Sequence, residues 1–426
     1  MKLVQFGAGN IGRAFIGQIF SRAGWEVVFV DINQQLVKLL NERRSYMVVT
    51  KQEGRPEKKR RIGPIRAVDG LDEDAAAAEL ADADIAATSV GKNALPKLLP
   101  VIAKGLAKRF KNRQYTPSSG GSMLNCPLDI IIAENDREAP ALFRSILSAG
   151  LGPEYPLDRL VGLVETSVGK MVPLMKAADL AEDPLQLFTE EYETLIVDKH
   201  AFLRPMPEIP ELEPADPIAA YVDRKLFIHN LGHAAAGYLG YKAFLKWNNS
   251  LSLPSFTIPE ALALPHVEEN VRKAMNQAAD ALVLEYPQSR YSGSYSREDL
   301  AAHIEDLLFR FKDRALGEQV YRMGRDIRRK LAREDRITAV MLLCARHRLP
   351  FDAIAKVYRA APYFAVPSED GQLFPADKEF RKEFKLESPA EESYVAKLEH
   401  ILAEVSALDS SRSEDLLVIK QVTGRL

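Results

Sequence analysis

The sequence predicts an α/β protein, with a Rossmann-like doubly wound sheet domain followed by a mainly α-helical domain. Three observations carry this expectation. A strand–glycine turn–helix–strand–acid unit opens the chain. Short apolar runs alternate with helical patterns through the first third, as parallel βαβ units do. Long stretches with apolar residues three and four apart fill the second half.

The opening unit explains itself residue by residue. Met1 to Phe6 (MKLVQF) reads as a short buried strand running into Gly7-Ala8-Gly9-Asn10-Ile11-Gly12, a G-x-G-x-x-G turn. Gly7 permits the tight turn, Gly9 lets backbone approach a pyrophosphate, and Gly12 lets helix and strand pack closely. A helical pattern follows from Arg13 to Ala23. Its N-terminus, around Asn10 and Ile11, offers free N–H groups and a positive dipole end to phosphates. The next apolar run, Trp25 to Val30, ends in Asp31, 19 residues past Gly12. An acid there accepts hydrogen bonds from an adenosine ribose and repels a 2′-phosphate. Ile32 adds no cation to offset that repulsion, so NAD is the expected cofactor rather than NADP.

Asp84 to Val90 and Leu128 to Ala133 read as further strands. Their carboxyl ends, Val90 with the following Gly91, and Glu134-Asn135 after Ala133, are expected at the carboxyl edge of the sheet, where ligands bind in open α/β folds. We therefore take Val90, Gly91 and Asn135 as cofactor-site candidates. The stretch 112–127 is rich in Ser, Gly and Pro and is expected to be an exposed loop. Val161 to Val172 is a further apolar stretch, and Phe188 to Asp198 reads as a late strand. Lys51 to Arg61 (KQEGRPEKKRR) is basic but carries no interleaved aromatics, so it reads as a solvated hairpin tip rather than an RNA surface. Prolines 205, 207, 210, 214 and 217 suggest the passage between domains, dividing the chain into 1–205 and 206–426. Beyond them Ile218–Leu239, Ile258–Glu285, Arg297–Phe311, Gly317–Ala332, Ile337–Arg346 and Ser388–Leu408 read as helices.

Composition narrows the partners. A formal net charge of −2 provides no overall field for nucleic acid or an anionic membrane, so a small molecule is the expected partner. No run of 18 apolar residues occurs, so no membrane span is expected. Two cysteines, Cys126 and Cys344, form no metal or redox spacing and suit a reducing, cytoplasmic compartment. The N-terminus reads as a folded strand rather than a secretory leader.

The chemistry concentrates in RKLFIHNLGHAAAGYLGY, residues 224–241. At about 100° per residue, His229, His233 and Asn230 lie roughly 40°, 80° and 140° from Lys225, so one helix face carries an amine, an amide and two imidazoles. From the residues alone three readings stand open. The first is acid/base chemistry, since a desolvated lysine loses pKa and can take a proton near neutrality. The second is a metal held by His229 and His233 at i, i+4, although the H-E-x-x-H pattern needs glutamate where Asn230 stands. The third is an ordinary solvated face. The basic run Arg325, Arg328, Arg329 and Lys330 likewise reads either as an exposed helix face or as a shared phosphate grip, with Arg325 and Arg329 as i, i+4 neighbours.

The chain resembles the polyol-specific long-chain dehydrogenases. FGAGNIGRAFIG is similar to their N-terminal cofactor loop, and their K-x4-N-x2-H pattern is present as Lys225, Asn230 and His233. AEN (Ala133 to Asn135), IEDLLFRF (Ile304 to Phe311) and GRDIRRKLAREDR (Gly324 to Arg336) extend the likeness, and the last resembles the sugar-phosphate branch. One departure stands out: the family's V-D-R-I-x-P is here Val168-Gly169-Lys170-Met171-Val172-Pro173. The resemblance implies metal-independent hydride transfer with NAD. Lys225 would be the general base, Asn230 and Asn135 would stabilise the alkoxide, and His233 would bind substrate in a cleft between domains. It further implies mannitol 1-phosphate and fructose 6-phosphate as the reacting pair, with Arg325 and Arg329 on the phosphate. The alternatives are a hexuronate reductase, a mannitol 2-dehydrogenase, or an NAD-sensing protein without turnover.

Overall fold

The computed structural model describes residues 1–114, 127–173, 175, 177–247, 252–287, 295–386 and 394–425. Two compact units meet at Val222/Asp223. In the first, the strands along the chain are β1 (Lys2–Phe6), β2 (Glu26–Asp31), β3 (Tyr46–Thr50), β4 (Lys58–Ile62), β5 (Ile65–Asp69) and β6 (Ile85–Thr88). They continue as β7 (Leu128–Ile132), β8 (Val161–Val168), β9 (Leu187–Thr189), β10 (Leu195–Asp198) and β11 (Leu212–Ala215). Eight form one sheet in the order β11-β10-β8-β7-β6-β1-β2-β5. From β5 through β8 every pairing is parallel, and the antiparallel contact of β10 with β8 ends the parallel run.

Parallel strands covered on both faces should be largely apolar, and the centres of these are. Leu3, Val27 and Phe29 point into one core with Phe15 and Ile19, whereas Val4, Phe6, Val28 and Val30 point into the opposite one with Leu99, Ile102 and Phe143. The double burial fixes the register, because a one-residue slip would exchange the two faces. All the loops after β1, β2, β5, β6 and β7 therefore emerge at one sheet edge, and that is where the cofactor candidates sit.

The first unit extends beyond the expected limit at residue 205. β11 lies inside the proline-rich passage and pairs with β10, so the passage is partly sheet rather than linker. The expected strand over Phe188–Asp198 is two short ones, β9 and β10, in different sheets. β9 joins β3 and β4 in a separate three-stranded sheet. The basic stretch 51–61 is the tip and outer strand of the β3–β4 hairpin, with Lys58 and Arg55 ion-paired to Glu191. The expected loop over 112–127 falls mostly outside the described residues. Its first residues instead finish the helix Leu95–Gln114.

The second unit is helical. Arg297–Phe311 forms as expected, and Thr338–Arg346 matches closely. Ile258–Glu285 is interrupted: a capped turn, Ile258–Leu262, precedes the long helix Val267–Glu285. Gly317–Ala332 is also two short helices, Val320–Gly324 and Ile327–Leu331. Gly324 packs so tightly on Phe364 that a Cβ would lie 2.1 Å from the ring, and Asp326 is left-handed at φ 66°. Among the described residues no helix is long and apolar enough to cross a membrane.

Candidate active site

In the first unit, the glycine turn has the geometry its sequence requires. Gly7 sits at φ +90°, and a Cβ there would lie 2.7 Å from the Ser89 carbonyl oxygen. A Cβ on Gly12 would lie 2.0 Å from the carbonyl oxygen of Gly7, so only glycine closes the turn. Gly9 is different. It is exposed, and a Cβ there would meet nothing within 4 Å. The space in front of Gly9 is what a pyrophosphate needs, so the residues present fit a dinucleotide.

Asn10 and Ile11 begin the helix, which runs as a π-turn over Gly12–Gly17 before Gln18–Arg22. The side-chain amide of Asn10 also reaches the Pro173 carbonyl at 3.4 Å. Asp31 stands at the end of β2 with one carboxylate oxygen accepting from Ala8 N at 2.7 Å and the other from Asn33 N at 2.9 Å. Each oxygen keeps a further lone pair for a ribose hydroxyl. Val90 and Gly91 follow β6, but their N–H groups donate to the Glu134 carboxylate at 2.9 and 2.8 Å. Burial pushes the Glu134 carboxyl upward against these two bonds. Asn135 is exposed just beyond β7. Sequence reasoning noted Glu134 but had no signal that it pins the neighbouring loop.

The second unit carries Lys225, Asn230 and His233. Lys225–Asn230 is a π-turn between the helices Ile218–Arg224 and Leu231–Trp247. This corrects the wheel drawn at 100° per residue. A π-turn hydrogen-bonds residues five apart, so the x4 spacing brings Lys225 and Asn230 closer to one face than an ordinary helix would. Burial pulls the Lys225 ammonium down to about 8, and the positive charge of Arg336 adds to that fall.

His233 is buried and stacks on Phe311, with ring centroids 3.9 Å apart. Its Nε2 lies 2.9 Å from Oε2 of Glu318. Glu318 is itself buried. Burial alone would raise its carboxyl, but His233, Arg322 and Arg310 hold it below the ordinary carboxylate value. Sequence reasoning missed both Glu318 and Phe311 as partners of His233, because neither lies near it in the chain.

His229 is buried with its ring 5.0 Å from that of His233 and 5.6 Å from Phe311. Burial, then the charges of His233, Arg310, Lys225 and His303, push its pKa well below the ordinary value. Among the described residues no group of three or more His, Cys, Asp or Glu side chains is arranged to hold a metal ion.

The basic run departs from expectation. Arg325 is in extended backbone between two short helices, so it is not an i, i+4 neighbour of Arg329. Arg329 pairs with Asp326 and Asp335, and Arg328 with Glu383. Lys330 is buried and donates to the Arg325 carbonyl. The Arg325 guanidinium instead lies over two rings, 5.7 Å from the centroid of Tyr321 and 5.4 Å from that of Phe374. The departure at Gly169-Lys170 also has a structural account. Lys170 is buried and donates to the carbonyls of Glu190 and Tyr192, and the Tyr192 ring would lie 3.3 Å from a Cβ on Gly169.

Known proteins resemble this chain in sequence and in fold. Residues 1–211 match the Mannitol dehydrogenase Rossmann domain, and residues 217–423 match the Mannitol dehydrogenase C-terminal domain. Mannitol-1-phosphate 5-dehydrogenase of Buchnera aphidicola subsp. Acyrthosiphon pisum is 31% identical over 368 residues, covering 85% of this chain and 86% of that one. The Pseudomonas fluorescens mannitol 2-dehydrogenase ternary complex with NAD and D-mannitol superposes with a TM-score of 0.72 at 14% identity, over 100% of this chain and 92% of that one. A substrate-free D-sorbitol dehydrogenase gives 0.69 at 16% identity, over 99% and 93%. Because the two domain matches together run from residue 1 to residue 423, and the sequence likeness spans most of both chains, this chain belongs to the mannitol dehydrogenase family.

Proposed function

We propose that this chain is an NAD-dependent oxidoreductase that interconverts mannitol 1-phosphate and fructose 6-phosphate, acting in the cytoplasm. The observation that carries the chemistry is Lys225, an amine desolvated to a pKa of about 8 within a π-turn that also carries Asn230. A base with a pKa near the working pH is poised to exchange a proton with a hydroxyl group.

Gly9 and the adjoining helix start receive the pyrophosphate of NAD, and Asp31 receives its adenosine ribose. Bound NAD supplies the hydride acceptor. In the oxidising direction, neutral Lys225 takes the proton from the alcohol at its Nζ. The Asn230 side-chain amide donates to the oxygen as negative charge gathers there, a stabilisation felt most in the transition state. Asn135 is the second candidate donor. His233, held between Phe311 and Glu318, binds a neighbouring hydroxyl. In the reducing direction, protonated Lys225 returns the proton to the forming alkoxide. The phosphorylated substrate is supported by the 31% identity to a mannitol-1-phosphate 5-dehydrogenase and by Arg325, whose charge faces aromatic rings rather than a carboxylate among the described residues.

The test is direct. The protein is mixed with NADH and fructose 6-phosphate and absorbance at the NADH band is followed. We expect rapid loss of NADH, a slower loss with NADPH, and no effect of a strong chelator. Equal use of NADPH would remove the role given to Asp31. Activity lost to chelator and restored by zinc would move the chemistry to His229 and His233.

A further inference from the structure

The dinucleotide turn rests on a polar brace from beneath. Arg13 is 7% exposed, and its Nε donates to the carbonyl of Ala8 at 2.6 Å. One of its terminal nitrogens donates to the carbonyl of Leu185 at 2.8 Å, just ahead of β9. The Ala8 N–H is in turn held by Asp31. The residue before Gly9 is thus gripped at both its N–H and its carbonyl.

Tyr46 reaches the same place from β3. It is 3% exposed, and its hydroxyl donates to the Arg13 carbonyl at 2.8 Å, within the π-turn Gly12–Gly17. The Arg13 guanidinium also lies 5.9 Å from the Tyr46 ring centroid. Gly17 leaves room for this approach, since a Cβ there would lie 2.9 Å from the Tyr46 hydroxyl and 2.6 Å from the Phe29 ring. Small separate sheets often need no link to a ligand site. This one, made of β4, β3 and β9, delivers Tyr46 and is preceded by Leu185, and both contacts end on Arg13, whose Nε holds the turn at Ala8.

We propose that Arg13 and Tyr46 are positioning residues that fix Ala8 and Gly9 in the conformation that receives the pyrophosphate, and so set affinity for NAD rather than the rate of hydride transfer. The inference rests on the NAD reading above. Burying a guanidinium is costly unless its donors are satisfied, and here they are spent on the turn and its support. An ordered turn offers its N–H groups to phosphate without first losing conformational freedom, and preorganisation of that kind appears as affinity.

The test uses the full chain and three variants, Tyr46→Phe, Arg13→Lys and Arg13→Gln. NADH binding is titrated by NADH fluorescence, thermal midpoints are measured without ligand, and kcat and KM are taken at saturating NADH. Tyr46→Phe keeps the ring that packs edge-on against Phe29 and loses only the hydroxyl. We expect its NADH Kd to rise about three- to tenfold, as for one net hydrogen bond. Arg13→Gln should weaken NADH by more than tenfold, with partial rescue in Arg13→Lys. kcat at saturating NADH and KM for the sugar should stay within about twofold. If Arg13→Gln does not fold, Tyr46→Phe and Arg13→Lys decide. An NADH Kd for Tyr46→Phe within twofold of wild type overturns the proposal, whatever its thermal midpoint. Loss of kcat with unchanged Kd also overturns it. A wild-type protein that fails to bind NADH would instead bring down the NAD reading itself.

Discussion

Lys225 shows how a single residue acquires its chemistry from its surroundings. In water its amine would lose its proton only around pH 10.5. Burial and the charge of Arg336 bring that value to about 8. The sign of the pH dependence follows. In the proposed mechanism alcohol oxidation needs neutral Lys225, so kcat/KM in that direction should rise with pH and level off above about 8. Ketose reduction needs the ammonium, so it should fall as pH passes the same value. Lys225→Met should cut kcat by about 10²–10⁴-fold, the usual contribution of a positioned base, while NADH affinity changes little. A pH profile for oxidation that stays flat between 6 and 10 in the wild type would show that some other group moves the proton.

At the scale of elements, the glycine turn separates folding from binding within six residues. Gly12→Ala would force a Cβ to within 2.0 Å of the Gly7 carbonyl oxygen, so it should lower the thermal midpoint sharply. Gly9→Ala meets open space and should leave the midpoint nearly unchanged. It should still weaken NADH by about tenfold or more, roughly 1.4 kcal/mol, because the new methyl occupies the pyrophosphate's place. A Gly9→Ala protein that binds NADH like wild type would mean the phosphates lie elsewhere. This turn was legible in the sequence because glycine spacing, strand and acid are all local. The π-turn at Lys225–Asn230 was not, because hydrophobic period alone does not distinguish a wider turn, and the x4 spacing looked like a spread of 140° on an ordinary helix. The break at Gly324–Arg325 was hidden for a different reason: Gly324 packs against Phe364, 40 residues away. Contacts of that range leave no trace in a local pattern. Glu318 beside His233 and Glu134 beneath Val90–Gly91 belong to the same class.

At the scale of the whole molecule, charge decides how an anionic substrate can be chosen. A formal net charge of −2 gives no general attraction for a sugar phosphate, so selectivity must come from a local cation. The basic run offers four, but three are already engaged. Arg328 and Arg329 face carboxylates, and buried Lys330 supports the Arg325 carbonyl. Arg325 remains, with its guanidinium ordered over Tyr321 and Phe374. Cation–π contacts of this kind attract the guanidinium without using its N–H donors, which suit an oxyanion. Fructose 6-phosphate should therefore be reduced far better than fructose. Arg325→Ala should lower kcat/KM for the phosphorylated sugar by about 10–100-fold, the scale of a hydrogen bond to a charged group, and leave the poor activity on fructose unchanged. Inhibition by inorganic phosphate should weaken in the same variant, and the preference should shrink with rising salt where the site is open to solvent. Arg329→Ala should behave differently, losing thermal stability through its two carboxylate partners with no change in the ratio of the two sugars. Equal kcat/KM for fructose and fructose 6-phosphate in the wild type would take the phosphate out of recognition and favour an unphosphorylated polyol as the substrate. An unchanged ratio in Arg325→Ala would keep the phosphate but assign its grip to another residue.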